Sequence, residues 1–172
     1  MPIYALGDKV PKIHPEAFVH PDAVIIGDVT IGAQSSVWPC AVLRGDSNKI
    51  VVGDRTSIQD GSVIHTTTYL GTFIGNECTI GHNAHLEGCT VKDGAFVGSG
   101  SLVHHEAVIE SGALVAAGAV VTHGTIVPAG ALAVGVPAKI KEGKADPDVL
   151  AYSIDFYTRM AALYPKEMRR ID

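Results

Sequence analysis

From Val91 onward the chain reads VKDGAF, VGSGSL, VHHEAV, IESGAL, VAAGAV, VTHGTI, VPAGAL, a period of six that an amphipathic helix does not produce. Position one is Val or Ile in all seven hexads, position four is Gly in six, and position five is Ala, Ser or Thr throughout. Positions one and five therefore fit inward-facing sites, one filled by an aliphatic side chain and the other by a small one. Gly at position four fits a corner where φ leaves the usual regions. The register extends backward through Ile13, Val19, Ile25, Ile31, Val37 and Leu43, then Val52, Ile58 and Ile64, then Ile74, Ile80 and Leu86, and forward to Ala133. Insertions break it around residues 47–51 and 66–73, and the hexad at Leu86 is one residue short. In a repeat array insertions map to loops, often on the working face.

The six-residue period resembles the hexapeptide-repeat left-handed parallel β-helix, a mainly β solenoid in which three hexads make one triangular coil. Twenty hexads then give about 6.7 coils, each rising about 4.8 Å. After Gly135-Val-Pro-Ala-Lys139 a charged linker runs to Asp146, and Pro147 suits a first helical turn. Leu150, Ile154, Tyr157, Ala161 and Tyr164 follow at three to four residue spacing. One C-terminal α-helix is expected to end near Tyr164 and to pack its aromatic stripe on the prism. The expected division is a β-helix domain over residues 1–138, then a linker and helix over 139–172.

Composition narrows the function classes. A chain of 172 residues suits one domain. With 47% hydrophobic residues but only 6% aromatic, the apolar content is Val, Ile and Ala, which suits strands. A net charge of −5 argues against nucleic acid, whose binders need a basic face. The N-terminus MPIYALGDKV lacks a basic segment followed by an apolar run, and the most apolar window, residues 112–121, is about half of a membrane span. A cytoplasmic protein with no membrane partner is expected. Cys40, Cys78 and Cys89 have no CxxC spacing and read as small buried residues.

Every third hexad shares a face of the prism, so the hexads at Ile64, Leu86 and Val103 place His65, Glu87 and His104 at outward position two in one column. Arg44 continues it below. On a neighbouring face Asp60 and His82 stack at position three, with Gln59 beside Asp60. Neighbouring faces diverge, so His82 cannot meet His65 and Glu87 within one chain. Three prisms around a three-fold axis would bring His82 of one chain toward His65 and Glu87 of the next. Two imidazoles and a carboxylate form a set known for zinc when water takes the fourth position.

Leu43-Arg-Gly-Asp46, Ile58-Gln-Asp-Gly-Ser-Val-Ile-His65 and Ile80-Gly-His82 followed by Leu86-Glu-Gly-Cys89 resemble the gamma-class carbonic anhydrases and their carbonic-anhydrase-like relatives. The resemblance implies a homotrimer that binds Zn2+, or another divalent ion such as Fe2+, Co2+ or Ni2+, through three histidines shared between two chains. His65 and His82 match two of them. At the third position Glu87 stands where the family has histidine, and His85, two residues away, is the other candidate. A carboxylate donor makes the ion a weaker Lewis acid. By the same resemblance, hydroxide attacks CO2 to give bicarbonate and Gln59 orients it. Arg44 and Asp46 form an interface ion pair joined by Asp60. The insertion at 66–73 holds no Asp or Glu, so the acidic proton-shuttle loop of the archetypal enzymes is missing and slow proton transfer is expected.

Two other classes stand beside this one. A hexapeptide acyltransferase would use His104 or His85 as base, although no basic cluster for coenzyme phosphates lies near that column. A non-catalytic trimer would use the same interface to bind a partner or small ligand. Fold analogy does not separate the three.

Overall fold

The computed structural model describes residues 2–172. It is a left-handed parallel β-helix of about seven turns with one C-terminal helix. The short strands stack in three columns, and each joins a position-one residue to the one three hexads away. On one face Ile25 pairs with Leu43, Leu43 with Ile64, Ile64 with Leu86, Leu86 with Val103 and Val103 with Val121. The other two faces run from Ile13 to Val127 and from Val19 to Ala133 in the same way. Parallel pairing is parallel because each coil climbs in one direction, and it places the aliphatic residues in a continuous stack. Ile25, Leu43, Ile58, Ile64, Ile80, Leu86 and Ile109 are all fully buried. Ala95, Ala107, Ala113, Ala119 and Ala131 fill the position-five sites beside them.

Most strands consist of positions six and one, with position two added in places, and the turn takes up the rest of the hexad. Position four lies in the left-handed region in most corners, though not at Glu16 and Asp22 of the first two hexads. Gly94, Gly100, Gly112, Gly118, Gly124 and Gly130 have φ of 64–69°. Gln34, Cys40, Arg55, Glu77, Asn83 and Glu106 occupy the equivalent place with φ of 52–60°. This corrects the expectation for Cys40, which is exposed at a corner, whereas Cys78 and Cys89 are buried. His85, at position six, lies on a strand and not at a corner. Position six belongs to the strand, so His85 and Glu87 face outward together on strand His85–Glu87 with Leu86 turned inward between them.

The two insertions behave differently. Residues 47–51 do not form a loop: they lie inside one continuous strand, Val42–Val52, paired with strand Val24–Ile31. Gly27 pairs with Gly45 and Val29 with Ile50, so a bulge of Asp46, Ser47, Asn48 and Lys49 opposes Asp28 alone. The Lys9 ammonium donates to the Asp46 carbonyl and fastens this bulge to the N-terminal segment. The second insertion does form a loop, which leads back to strand Thr72–Ile74.

Helix α1 (Pro147–Glu167) starts where expected, with the Asp146 side chain accepting from the Asp148 N–H and Pro147 in the first turn. It runs one turn beyond Tyr164. Phe18, Trp38, Tyr157 and Tyr164 form an edge-to-face cluster beneath it, with Trp38 and Tyr164 ring centroids 4.8 Å apart. Hydroxyls complete the seat. The Trp38 indole N–H donates to Ser36 and Ser57, and Thr79 and Ser153 bond each other at 2.9 Å. One face of the prism is thereby covered, and the face carrying His65 and Glu87 stays open.

Candidate metal and catalytic site

Strand pairing sets Arg44, His65 and Glu87 side by side, with Arg44 opposite His65 and His65 opposite Glu87. The insertion adds what the regular register does not, because the strand continues past the usual corner and Asp46, two residues after Arg44, lies on the same side of it. His65 Nε2 lies 3.1 Å from Asp46 Oδ1, and His65 Nδ1 lies 2.7 Å from Glu87 Oε1. Arg44 pairs with the other Asp46 oxygen. His65 thus stands between two carboxylates.

These contacts determine the charge of the carboxylates. Partial burial works to raise the Asp46 carboxyl, but the hydrogen bonds from Arg44 and His65 and the guanidinium charge outweigh it and bring it to about 2. Burial likewise opposes ionisation of Glu87, and the bonds from His105 and His65 outweigh it, so Glu87 lies below the usual carboxylate range. A depressed carboxyl contributes stability that is complete above its unfolded-state value and is lost as pH falls through the folded value. In chelator-treated protein, Asp46→Asn is expected to be less stable than the parent above about pH 4, and the gap in urea midpoint should close as pH falls toward about 2. A gap that does not change with pH would refute this account of Asp46.

The backbone around His65 and Glu87 is tied by a residue that periodicity does not reveal. The Thr72 hydroxyl donates to the His65 carbonyl and accepts the Gly88 N–H at 2.9 Å. It bridges the coil at the place where the hexad after Leu86 lacks a residue. Gly88, with φ +62°, makes the shortened corner.

The shortened corner also changes which histidine meets Glu87. Column register points to His104, but the structure brings His105 instead, with Nε2 3.1 Å from Glu87 Oε2. The physical reason is space. A Cβ at residue 88 would lie 3.3 Å from His105 Cδ2, so the His105 ring sits over a glycine, while His104 stays exposed. His85 Nε2 lies 3.9 Å from the same Glu87 oxygen, beyond hydrogen-bond reach. His123, which has no partner by spacing, faces Glu106 at 3.3 Å.

Asp60 and His82 stack on the neighbouring edge as expected, with His82 Nδ1 2.9 Å from Asp60 Oδ2 and both side chains 46% exposed. Asp60 therefore meets His82 and not the Arg44–Asp46 pair. Tyr157 of α1 is close enough for the Asp60 charge to add to burial in raising the phenol above its usual range. Gln59 is buried beside Asp60. Among the described residues its side chain has no hydrogen bond to His65, His82 or Glu87.

Among the described residues, no three His, Cys, Asp or Glu side chains of one chain converge as a metal site. His65 and Glu87 offer a nitrogen and an oxygen side by side, and His82, with Nδ1 held by Asp60, offers Nε2 from a different edge. The chemistry of these donors fits a borderline divalent cation, provided that two chains share the site.

The bacterial transferase hexapeptide (six repeats) family pattern matches residues 11–45 and 71–105. The chain is similar to gamma carbonic anhydrase 2, mitochondrial, of Arabidopsis thaliana, with 40% identity over 168 residues. That match covers 93% of this chain and 60% of the relative, so the chain spans under two thirds of that protein. It is 38% identical to carnitine operon protein CaiE of Escherichia coli over 149 residues, covering 87% of this chain and 76% of CaiE. Among solved structures, a hexapeptide transferase family protein from Anaplasma phagocytophilum superposes with a TM-score of 0.90 at 41% identity. That match covers 95% of this chain and 98% of the other.

Proposed function

Because the chain belongs to the gamma carbonic anhydrase-like hexapeptide-repeat family, we propose that it catalyses the reversible hydration of CO2 to bicarbonate at a site shared between neighbouring copies of a homotrimer. His65 and Glu87 of one copy and His82 of the next would hold Zn2+ or a similar divalent ion such as Fe2+, Co2+ or Ni2+. The observation that carries this reading is the split donor set: His65 and Glu87 are 2.7 Å apart on the open face, and His82 stands half-exposed on the adjoining edge. When bound, the ion supplies Lewis acidity and lowers the pKa of water toward neutrality.

The side chains have separable tasks. Asp60 accepts the His82 Nδ1–H, which assigns the tautomer and leaves Nε2 as the free donor atom. Asp46, ionised and held by Arg44, orients the His65 ring from the opposite side to Glu87. Gln59 carries both an N–H donor and a carbonyl acceptor and is assigned the orientation of the attacking hydroxide. The loop over residues 66–73 contains no carboxylate, so proton release is slow.

Subunit complementation tests the shared site. His65→Ala and His82→Ala proteins should each retain no stoichiometric zinc. Co-assembled in equal amounts they should recover zinc in about a quarter of the sites, since that fraction pairs an intact His65 with an intact His82. Recovery of no zinc would overturn the shared site. The transferase name of the similar Anaplasma structure favours acyl transfer as a second reading, with His85 or His104 as base. Release of coenzyme A from acetyl-coenzyme A by the unsubstituted protein would support that reading.

A further inference from the structure

We infer that His105 is a positioning residue that fixes Glu87 as a one-oxygen metal donor, compensating within one chain for the imidazole that the third ligand position lacks. The inference rests on the shared-site reading above.

The two Glu87 oxygens have different partners. Oε1 faces His65 Nδ1 at 2.7 Å, and Oε2 faces His105 Nε2 at 3.1 Å. A glutamate reaches its ligand position through three rotatable bonds, whereas a histidine has two, so the carboxylate needs an external restraint to present one defined lone pair. An N–H donated by His105 to Oε2 supplies it. The same bond draws charge from the carboxylate, which brings a formally anionic donor nearer to a neutral imidazole.

The seat for His105 is built by the two irregularities of the repeat. The short corner puts Gly88 beneath the ring, where a side chain would crowd Cδ2. A Cβ at that glycine would also lie 3.1 Å from Leu70 Cβ, so the 66–73 loop flanks the same spot. His104, one residue earlier and at the regular outward position, is left exposed. His85 is on the same strand as Glu87 but stands 3.9 Å from it and makes no hydrogen bond. Of the histidines around Glu87, His65 is assigned to the ion and His105 alone of the others is bonded to the carboxylate.

Cobalt(II) provides a readout apart from turnover. Chelator-stripped full-length protein is titrated with cobalt chloride while the visible absorption of the bound ion is recorded. His105→Ala should weaken cobalt binding about 10- to 100-fold and alter the band shape, because the carboxylate is free to bind through both oxygens. His105→Gln, which keeps an N–H donor on a chain of similar reach, should restore most of the affinity and the parent band. His123→Ala, at an exposed histidine that faces Glu106, should leave both nearly unchanged. Parent-like affinity and spectrum in His105→Ala would overturn the inference while leaving the shared site standing, as would a His105→Gln protein no better than His105→Ala. If the unsubstituted protein takes up no cobalt, the site reading falls and this inference falls with it.

Discussion

Glu87→His is expected to raise CO2 hydration by the zinc-loaded protein about ten-fold near neutral pH. The carboxylate at position 87 adds a negative charge to the donor set, which reduces the Lewis acidity of the ion and its power to ionise water. Each unit by which that ionisation moves toward neutrality changes the hydroxide available about ten-fold. Strand pairing holds position 87 opposite His65 regardless of side chain, so an imidazole there points to the same open face. The exchange removes the partner of His105, whose ring then turns to solvent at little cost because it is partly exposed. Initial rates should be compared at equal zinc content and equal oligomeric state. A zinc-loaded Glu87→His protein no faster than the parent would sink the claim that the carboxylate donor limits the rate of hydration.

A large stability effect is expected at Gly98, and a glycine two residues away serves as its control. Gly98 has ordinary φ, yet a Cβ there would lie 2.5 Å from the Ala117 nitrogen and 2.7 Å from the Val115 carbonyl oxygen. Both atoms are backbone of the next coil, which cannot retreat without breaking ladder bonds such as that from the Gly98 N–H to the Val115 carbonyl. Gly98→Ala should cost about 3 kcal/mol or more. Gly100 has φ +69°, but a Cβ there meets nothing within 4 Å. Gly100→Ala should cost only the left-handed penalty, about 1 kcal/mol. Six non-glycine residues already occupy such φ values in this chain, among them Gln34 and Glu106, which shows that the corner tolerates a side chain. Urea unfolding of the two variants would decide the matter, and equal midpoints would refute the claim that coil spacing, not corner φ, sets the cost.

The contrast bears on what periodicity reveals. Gly at position four repeats and is therefore conspicuous in the sequence, yet it is the more replaceable class. Gly98 and Gly75 at position two do not recur in every hexad and attract no notice. They matter because a neighbouring coil passes within contact distance, a fact about stacking and not about the local chain. The same distinction applies to the site. Arg44, His65 and Glu87, and separately Asp60 and His82, were legible as columns because three hexads close one coil. Asp46 was legible as a motif residue, but its contact with His65 arises because the insertion carries the strand past the usual corner. His105 and Thr72 were not legible, because both act at the shortened corner after Glu87.

The period of six, through its resemblance to the hexapeptide-repeat β-helix in which three hexads close a turn, determined the coil, the three faces and the strand register, because one aliphatic residue per hexad has to be buried. It also determined which outward side chains share a column. Tertiary structure alone decided which of two adjacent histidines meets Glu87, where Asp46 points, and which glycines are irreplaceable. These depend on irregular corners and on the approach of neighbouring coils, where displacements of a few ångströms change partners. A repeating pattern encodes the average coil, and the chemistry of this protein is placed where the coil departs from that average.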